Sequence, residues 1–531
     1  MTSTLSRLLK GLGAALAVLA VLVYVSYLVV YVVYAVDLFR WPFDYDQGEG
    51  FELYDAILFS QGEWPYRDNA VYPYYASNYP PLFHLLIVPL LTVFGQRLIA
   101  GRLVSFAATF VTGGVIFAVV RRKVGGWLIP LISGLAFLAS NYVYQIGPLC
   151  RMHMTMVMFE TLAIALIAGF EHPRHGRRNL ALGLLMLLCA GYTKQMAVFT
   201  VVAALSYVFL RDIRKAVAAG AALVVVAGAV FVFLNVVTRG HWWVNIIQAN
   251  VNEFDYRQTM FLFGQWFRLH TVFALLAAGY LVYELFWDRL SPYSLWFFFS
   301  LGSGALSGKW GAGFGYFTTA VAAACLTSGL ALGHLRNAGD RFQSAAGKLR
   351  DAAPALLALL VPLLYLVQAP RMLHLPTSGP VFGSLVRVLG VADELIEGDC
   401  ATFQYHDAMG YTQLGHLLTE DDYAAGEEIL DYVRTADGPA LSEEAMFNLL
   451  VGEQVVTNPT QLLNLYKNNL LDTTDIVDRI NQQEFGVVIF RAQFYPQPVL
   501  EAIGQNYQPV DHLCMNGFYY HILWPHRICS Q

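Results

Sequence analysis

Three carboxylates, Asp44, Asp46 and Glu49, crowd into the six residues Asp44-Tyr45-Asp46-Gln47-Gly48-Glu49, just after a long apolar run. Carboxylates packed at a low-dielectric boundary repel one another. At least one is then expected to hold its proton more tightly than usual, which suits it to accepting a proton in a reaction. By spacing alone the cluster reads slightly better as a solvated acidic loop. Cations stand at the ends of other apolar runs: Arg102, Arg151, Lys194 in Gly191-Tyr192-Thr193-Lys194-Gln195, and Lys309 in Gly308-Lys309-Trp310-Gly311. An ionisable side chain at such a position marks a site or snorkels to the interface. Lys194 points most to a site, because it lies between two apolar runs with no neighbour of its own sign. The histidines are scattered, with no pair at ligand spacing beside a carboxylate, so no metal is expected. A divalent ion held by Asp44 and Asp46 is the one arrangement left open. No P-loop or GxGxxG is present, and nothing points to a nucleic-acid partner.

The elements that must carry these residues are membrane helices. Of 531 residues, 56% are hydrophobic and 13% charged, about half the charge of a water-soluble chain. Leu9 to Val36 is too long for a signal-peptide core and lacks a cleavage site, so it reads as a retained span with Arg7 and Lys10 inside. Further runs start near Leu98, Trp127, Met152, Leu180, Met196, Ala216, Leu269, Pro292, Tyr316 and Ala353. Leu82 to Phe94 is short for a span. Reading it as an interfacial helix puts the basic clusters Arg121 to Lys123, Arg174 to Arg178, Arg211 to Lys215 and Arg336 to Arg350 all on the cytoplasmic side. The expectation is a polytopic α-helical membrane protein with about eleven transmembrane helices, its N-terminus cytoplasmic and its C-terminal domain extracytoplasmic. Two long outer loops follow, 37–97 and an aromatic-rich 238–268.

Charge divides the chain. Residues 371–531 hold 7 Lys and Arg against 21 Asp and Glu, whereas the first 370 carry a net charge of +9. We therefore read 1–370 as the membrane domain and 371–531 as a soluble extracytoplasmic α/β domain. In the latter, helices are expected at Glu427 to Thr435 and Ala445 to Val451, and strands near Ala440 to Ser442, Gly486 to Arg491 and Tyr519 to Trp524. Cys400, Cys514 and Cys529 lie in the outer domain and allow three alternative single bridges. Cys150, Cys189 and Cys325 read as core fillers.

The loop after the first helix carries a resemblance. Asp44 to Glu49 is followed by Gly62-Glu63-Trp64-Pro65-Tyr66-Arg67-Asp68, then Tyr79-Pro80-Pro81-Leu82, then Gly101-Arg102-Leu103. In order and spacing this resembles the GT-C superfamily of membrane glycosyltransferases, in its protein O-mannosyltransferase and lipid A aminoarabinose transferase branch. Family members often have Asp-Glu where this chain has Asp46-Gln47. They commonly have Arg-x-Asp where it has Arg151-Met152-His153, so no role for that second acid carries over. The run from Leu441 to Gly452, with Asn458-Pro459, resembles the soluble tail of bacterial members.

The resemblance implies transfer of a sugar from a polyprenyl-phosphate donor to an envelope acceptor on the outer face of the cytoplasmic membrane, with inversion. A carboxylate takes the acceptor proton, and a cation receives the departing phosphate. Asp46 is the first choice for the base, with Glu49 and Asp44 next. Lys194, Arg102, Arg151 and Lys309 are the candidates for the phosphate. Tyr66, Arg67, Asp68 and Tyr79 are the implied substrate contacts. The implied partners are the lipid donor, membrane lipids and an unnamed acceptor. A transporter or lipid flippase is the alternative. It calls for inverted repeats and a series of mid-span charges, and neither is visible in the sequence.

Overall fold

The computed structural model describes residues 3–341, 349–372, 384, 400 and 417–526. Its first part is helical, in the order α1 Ser3–Arg40, α2 Glu49–Ser60, α3 Leu82–Phe94, α4 Ile99–Val124 and α5 Leu128–Leu138. Next come α6 Asn141–Ile146, α7 His153–Ile167, α8 Gly176–Thr193, α9 Val198–Arg211 and α10 Ile213–Val237. α11 His241–Ile246, α12 Tyr256–Trp287, α13 Pro292–Ala305, α14 Thr318–Arg341 and α15 Leu349–Gln368 complete it. Each of the eleven apolar segments expected from the sequence is a helix, and six helices are long and apolar enough to cross a membrane. The chain is a multi-pass membrane protein.

Burial follows from that solvent. Val224 is 72% exposed and Phe286 69% exposed, as suits side chains that face lipid. α14 runs through the middle, with 94% of its apolar window buried. Its small residues Ala320, Ala322, Ala323 and Ala324 let neighbouring helices approach closely. Glu160 of α7 is buried there with both oxygens satisfied by Thr200 at 2.7 Å and Thr319 at 2.6 Å, clipping α7, α9 and α14 together. One expectation needs correcting. Residues 256–268 are not outer loop but the first turns of α12, because Asp255 caps that helix by accepting the Arg257 N–H at 2.8 Å.

α1 has 38 residues. At ~1.5 Å per residue it far exceeds the ~30 Å hydrocarbon core, so its last turns stand clear. There Tyr34 and Leu38, with Trp41 and Phe43 beyond, pack against Ile429 and Tyr520 of the C-terminal part. One apolar cluster thus joins the two parts of the chain.

The C-terminal part holds a four-stranded sheet in the order β1-β2-β4-β3, made of β1 Ala440–Ser442, β2 Val487–Phe490, β3 Tyr507–Met515 and β4 Phe518–Pro525. β1 and β2 are parallel, with Leu441 opposite Val488. Helices Ala445–Leu450, Pro459–Lys467 and Thr474–Asn481 form the crossover that parallel pairing requires. β4 runs antiparallel to β2 and to β3, placing Ile489 opposite Ile522 and His512 opposite His521. Of the cysteine pairings left open, Cys400–Cys514 is the one formed, and Cys529 lies outside the described residues. So does 342–348, within the Arg336 to Arg350 run.

Candidate active site

The acidic loop is folded tightly onto the end of the helical bundle. Gly48 has φ 105°, and a Cβ there would lie 3.0 Å from a terminal nitrogen of Arg151. Only glycine suits both the conformation and the contact. Arg102, from the first turn of α4, fastens the loop. Its Nε and one terminal nitrogen donate to the two Glu49 oxygens at 2.9 and 2.8 Å. The remaining donors go to the carbonyls of Phe43 at 3.0 Å, Trp41 at 2.6 Å and Leu38. Glu49 also accepts the N–H groups of Cys150 at 2.6 Å and Tyr45 at 3.0 Å. Burial alone pushes its carboxyl up, but Arg102 and these donors carry it below the usual range. Asp44 accepts the N–H groups of Gly50 at 2.5 Å and, from the C-terminal part, Met446 at 3.3 Å. Asn516 donates to the Tyr45 carbonyl at 2.9 Å. Burial pushes the Asp44 carboxyl up to about 7.

Asp46 differs from both. Nε and a terminal nitrogen of Arg151 donate to its Oδ2 at 2.9 and 2.7 Å, while Oδ1 has no hydrogen-bond partner. Burial raises its pKa, Arg151 opposes the rise, and the net shift is upward. Asp46 lines a cavity of about 600 Å³ between the helical bundle and the C-terminal part. Arg151, Lys194 and Tyr79 line it with Asp46, so the structure brings together four of the eleven residues expected at the site. Lys194, in the turn after α8, is buried, hydrogen-bonded to His153, and 5.4 Å from the ring centres of Tyr79 and Tyr316. Among the described residues it makes no ion pair. Burial draws its ammonium down to about 7, and the like charge of Arg151 adds to the shift.

The other seven do not line the cavity. Glu49 and Arg102 neutralise each other inside the loop, and Asp44 faces backbone. Lys309 donates to the Asn250 carbonyl at 2.7 Å. Tyr66 donates to the Tyr79 carbonyl at 2.9 Å, Arg67 pairs with Glu63, and Asp68 accepts the Ala70 N–H at 3.0 Å. These residues shape the loop that presents Tyr79. Nor do Asp44 and Asp46 share a cation site, since one faces backbone N–H groups and the other Arg151.

Two groups escaped sequence reasoning. Glu52 lines the cavity and meets His84 at 2.6 Å; His84 lies 3.4 Å from Asp55. Burial lowers the His84 pKa, but the two carboxylates carry it above its usual value, and burial pushes Asp55 up to about 7. The three donor atoms lie within 4.8 Å of one another, close enough to share a cation, and His84 Nε2 already meets Glu52. The i, i+3 spacing of Glu52 and Asp55 on an apolar helix was the available signal. The second group comes from the C-terminal part. Glu443 accepts the N–H groups of four consecutive residues, Arg491 to Phe494, and Glu444 binds the Arg491 guanidinium at 2.5 Å. The loop so held forms one wall of the cavity, with Arg491 stacked 3.6 Å over Phe518.

The architecture has solved counterparts. The chain is similar to the crystal structure of ArnT from Cupriavidus metallidurans in the apo state, with TM-score 0.59 and 13% identity over 95% of this chain and 97% of that one. Against the same protein bound to undecaprenyl phosphate, the TM-score is 0.55 at 14% identity, over 95% and 98% of the two chains. The apo oligosaccharyltransferase of Archaeoglobus fulgidus gives 0.52 at 10% identity, over 93% of this chain and 73% of that one. No curated protein sequence matches. Residues 78–239 match the family described as dolichyl-phosphate-mannose-protein mannosyltransferase. The chain thus shares the fold of ArnT, and its segment 78–239 carries the sequence pattern of the mannosyltransferase family.

Proposed function

We propose that the chain transfers a sugar from a polyprenyl-phosphate donor to an acceptor hydroxyl in the cavity beneath its C-terminal part. The observation that carries this reading is a base and an unmatched cation on one cavity wall. Among the described residues, Asp46 keeps one oxygen without a hydrogen-bond partner and Lys194 makes no ion pair. The ArnT structure with undecaprenyl phosphate supports a lipid-phosphate donor.

In the reaction, Oδ1 of Asp46 takes the acceptor proton as the acceptor oxygen bonds to the anomeric carbon. The bond from that carbon to the phosphate oxygen breaks, and its electron pair leaves on the lipid phosphate, which Lys194 receives. Attack opposite the leaving group inverts the anomeric centre. Arg151 holds Asp46, and Tyr79 and Tyr316 shield the ammonium from water. The cavity opens on the extracytoplasmic side in this reading. Glu49, Asp44, Arg102, Tyr66, Arg67 and Asp68 build the loop without touching the substrate, and Lys309 instead holds the Asn250 carbonyl. No step is assigned to a metal.

The test is binding of undecaprenyl phosphate to the purified full-length protein. Lys194→Ala should weaken it at least tenfold with the melting temperature unchanged. Wild-type binding should also weaken as pH rises above neutrality, where a lysine titrating near 7 loses its proton. Equal binding by parent and variant would remove Lys194 from the donor site.

A further inference from the structure

Arg151 grips Asp46 from one side. Two of its nitrogens converge on Oδ2, at 2.9 and 2.7 Å, and the same side chain reaches the Gln47 carbonyl. Its other terminal nitrogen lies 3.6 Å from an oxygen of Glu52. A guanidinium left free beside a carboxylate favours the parallel fork, with one N–H to each oxygen. That fork would occupy Oδ1, the oxygen the reaction needs open.

Glu52 is placed to prevent it, and is itself held. His84 of α3 meets its second oxygen at 2.6 Å. Asp55, one turn further along α2, lies 3.4 Å behind His84 and accepts a hydrogen bond from the Tyr75 hydroxyl at 2.7 Å. Glu52, Asp55 and His84 are all buried. Gly48 leaves the space through which the guanidinium spans the two carboxylates, since a Cβ there would meet Arg151 at 3.0 Å.

We propose that Glu52, backed by His84 and Asp55, is a positioning residue: it anchors the far end of Arg151 and so keeps Oδ1 of Asp46 open for the acceptor proton. The proposal rests on the reading of Asp46 as the base. It accounts for the buried Glu52, Asp55 and His84 cluster, and it gives Arg151 a role separate from phosphate binding.

The test uses full-length protein, an undecaprenyl-phosphate-linked sugar as donor, and transfer measured as kcat and KM. Glu52→Gln should lower kcat about ten- to a hundredfold, the range of a partly blocked base, with donor KM within twofold. Adding Arg151→Lys should recover at least fivefold of that loss, because a lysine is a point charge and cannot fork onto both oxygens. A residue that merely supports the fold would give a double variant worse than either single one. Should Glu52→Gln not fold, Glu52→Asp carries the same test, since it keeps the charge but withdraws it by one methylene. Its kcat should fall, and Arg151→Lys should restore it. No recovery in the double variant overturns the proposal, as does activity that is lost on metal chelation and regained with a divalent ion. If Asp46→Asn transfers at the parent rate, the base assignment fails first, and the proposal falls with it.

Discussion

Arg102 is where sequence and structure assign opposite jobs, and its removal separates them. A phosphate ligand should be dispensable for folding. A buried fastener should not. Arg102 and Glu49 are both fully buried, and the guanidinium satisfies two carboxylate oxygens and three carbonyls at once. Arg102→Met keeps most of the side-chain volume but strands the Glu49 charge and those carbonyls. Breaking a buried pair by removing one partner costs about 3–5 kcal/mol. The Cys150 and Tyr45 N–H groups still hold Glu49, so the lower end of that range applies. Thermal unfolding of purified protein should therefore shift down by several degrees, and expression should fall. The pH dependence follows from the carboxyl. Its folded pKa is depressed, so its stabilisation is present above the ordinary carboxylate range and is lost as pH falls through the folded value. The parent should lose part of its stability in acid, and Arg102→Met should lose less. Arg102→Lys, which keeps the charge without the fork, should fall between. An unchanged melting temperature with lost undecaprenyl phosphate binding would refute the argument and return Arg102 to the phosphate.

Other outcomes can be stated briefly. Asp46→Asn keeps shape but cannot accept a proton, so transfer should fall about 10²–10⁴-fold with donor binding intact; parent-level rates would sink the glycosyltransferase mechanism. The parent's rate should rise with pH through an Asp46 value above the ordinary carboxylate range, and a flat acid limb would contradict that. Cys400→Ser with Cys514→Ser opens a loop of sequence separation 114, for which chain entropy predicts up to about 4–5 kcal/mol; the variant should melt lower, and equal melting would show that the bridge adds nothing. Glu443→Gln should loosen the Arg491 to Phe494 loop and raise KM for acceptor more than for donor, which steady-state kinetics on both substrates would reveal. A cysteine placed at Arg177 should be labelled only from the cytoplasmic side; labelling from outside would invert the proposed orientation.

Much of the frame could be read from residues alone, because lipid imposes a simple rule on composition. The apolar segments and the short Leu82 to Phe94 helix stood out on that basis. Lys194 stood out as well, as a cation with apolar sequence on both sides. The acidic loop was visible as a cluster, but not which carboxylate faces the cavity. Asp44, Asp46 and Glu49 differ in which partner meets them, and those contacts span 53 residues to Arg102, 105 to Arg151 and 402 to Met446. Local spacing carries no trace of such pairings. Tyr256 to Phe267 misled because aromatic rings favour interfaces, while the Asp255 cap that starts a helix there is a single-residue signal. β3 was missed because its exposed residues, from Gln508 to Val510, lack the alternation of a half-buried strand.

The contacts that close the acidic loop come from far along the chain, 402 residues on at Met446 and 471 on at Asn516. A ribosome feeding this chain into a membrane delivers Asp46 early and its cover last. During synthesis the loop stands unshielded until β4 has emerged. A nascent chain that has not yet reached β4 then carries no closed cavity. A chain cut before β4 should therefore insert its helices yet leave the proposed base without its cover.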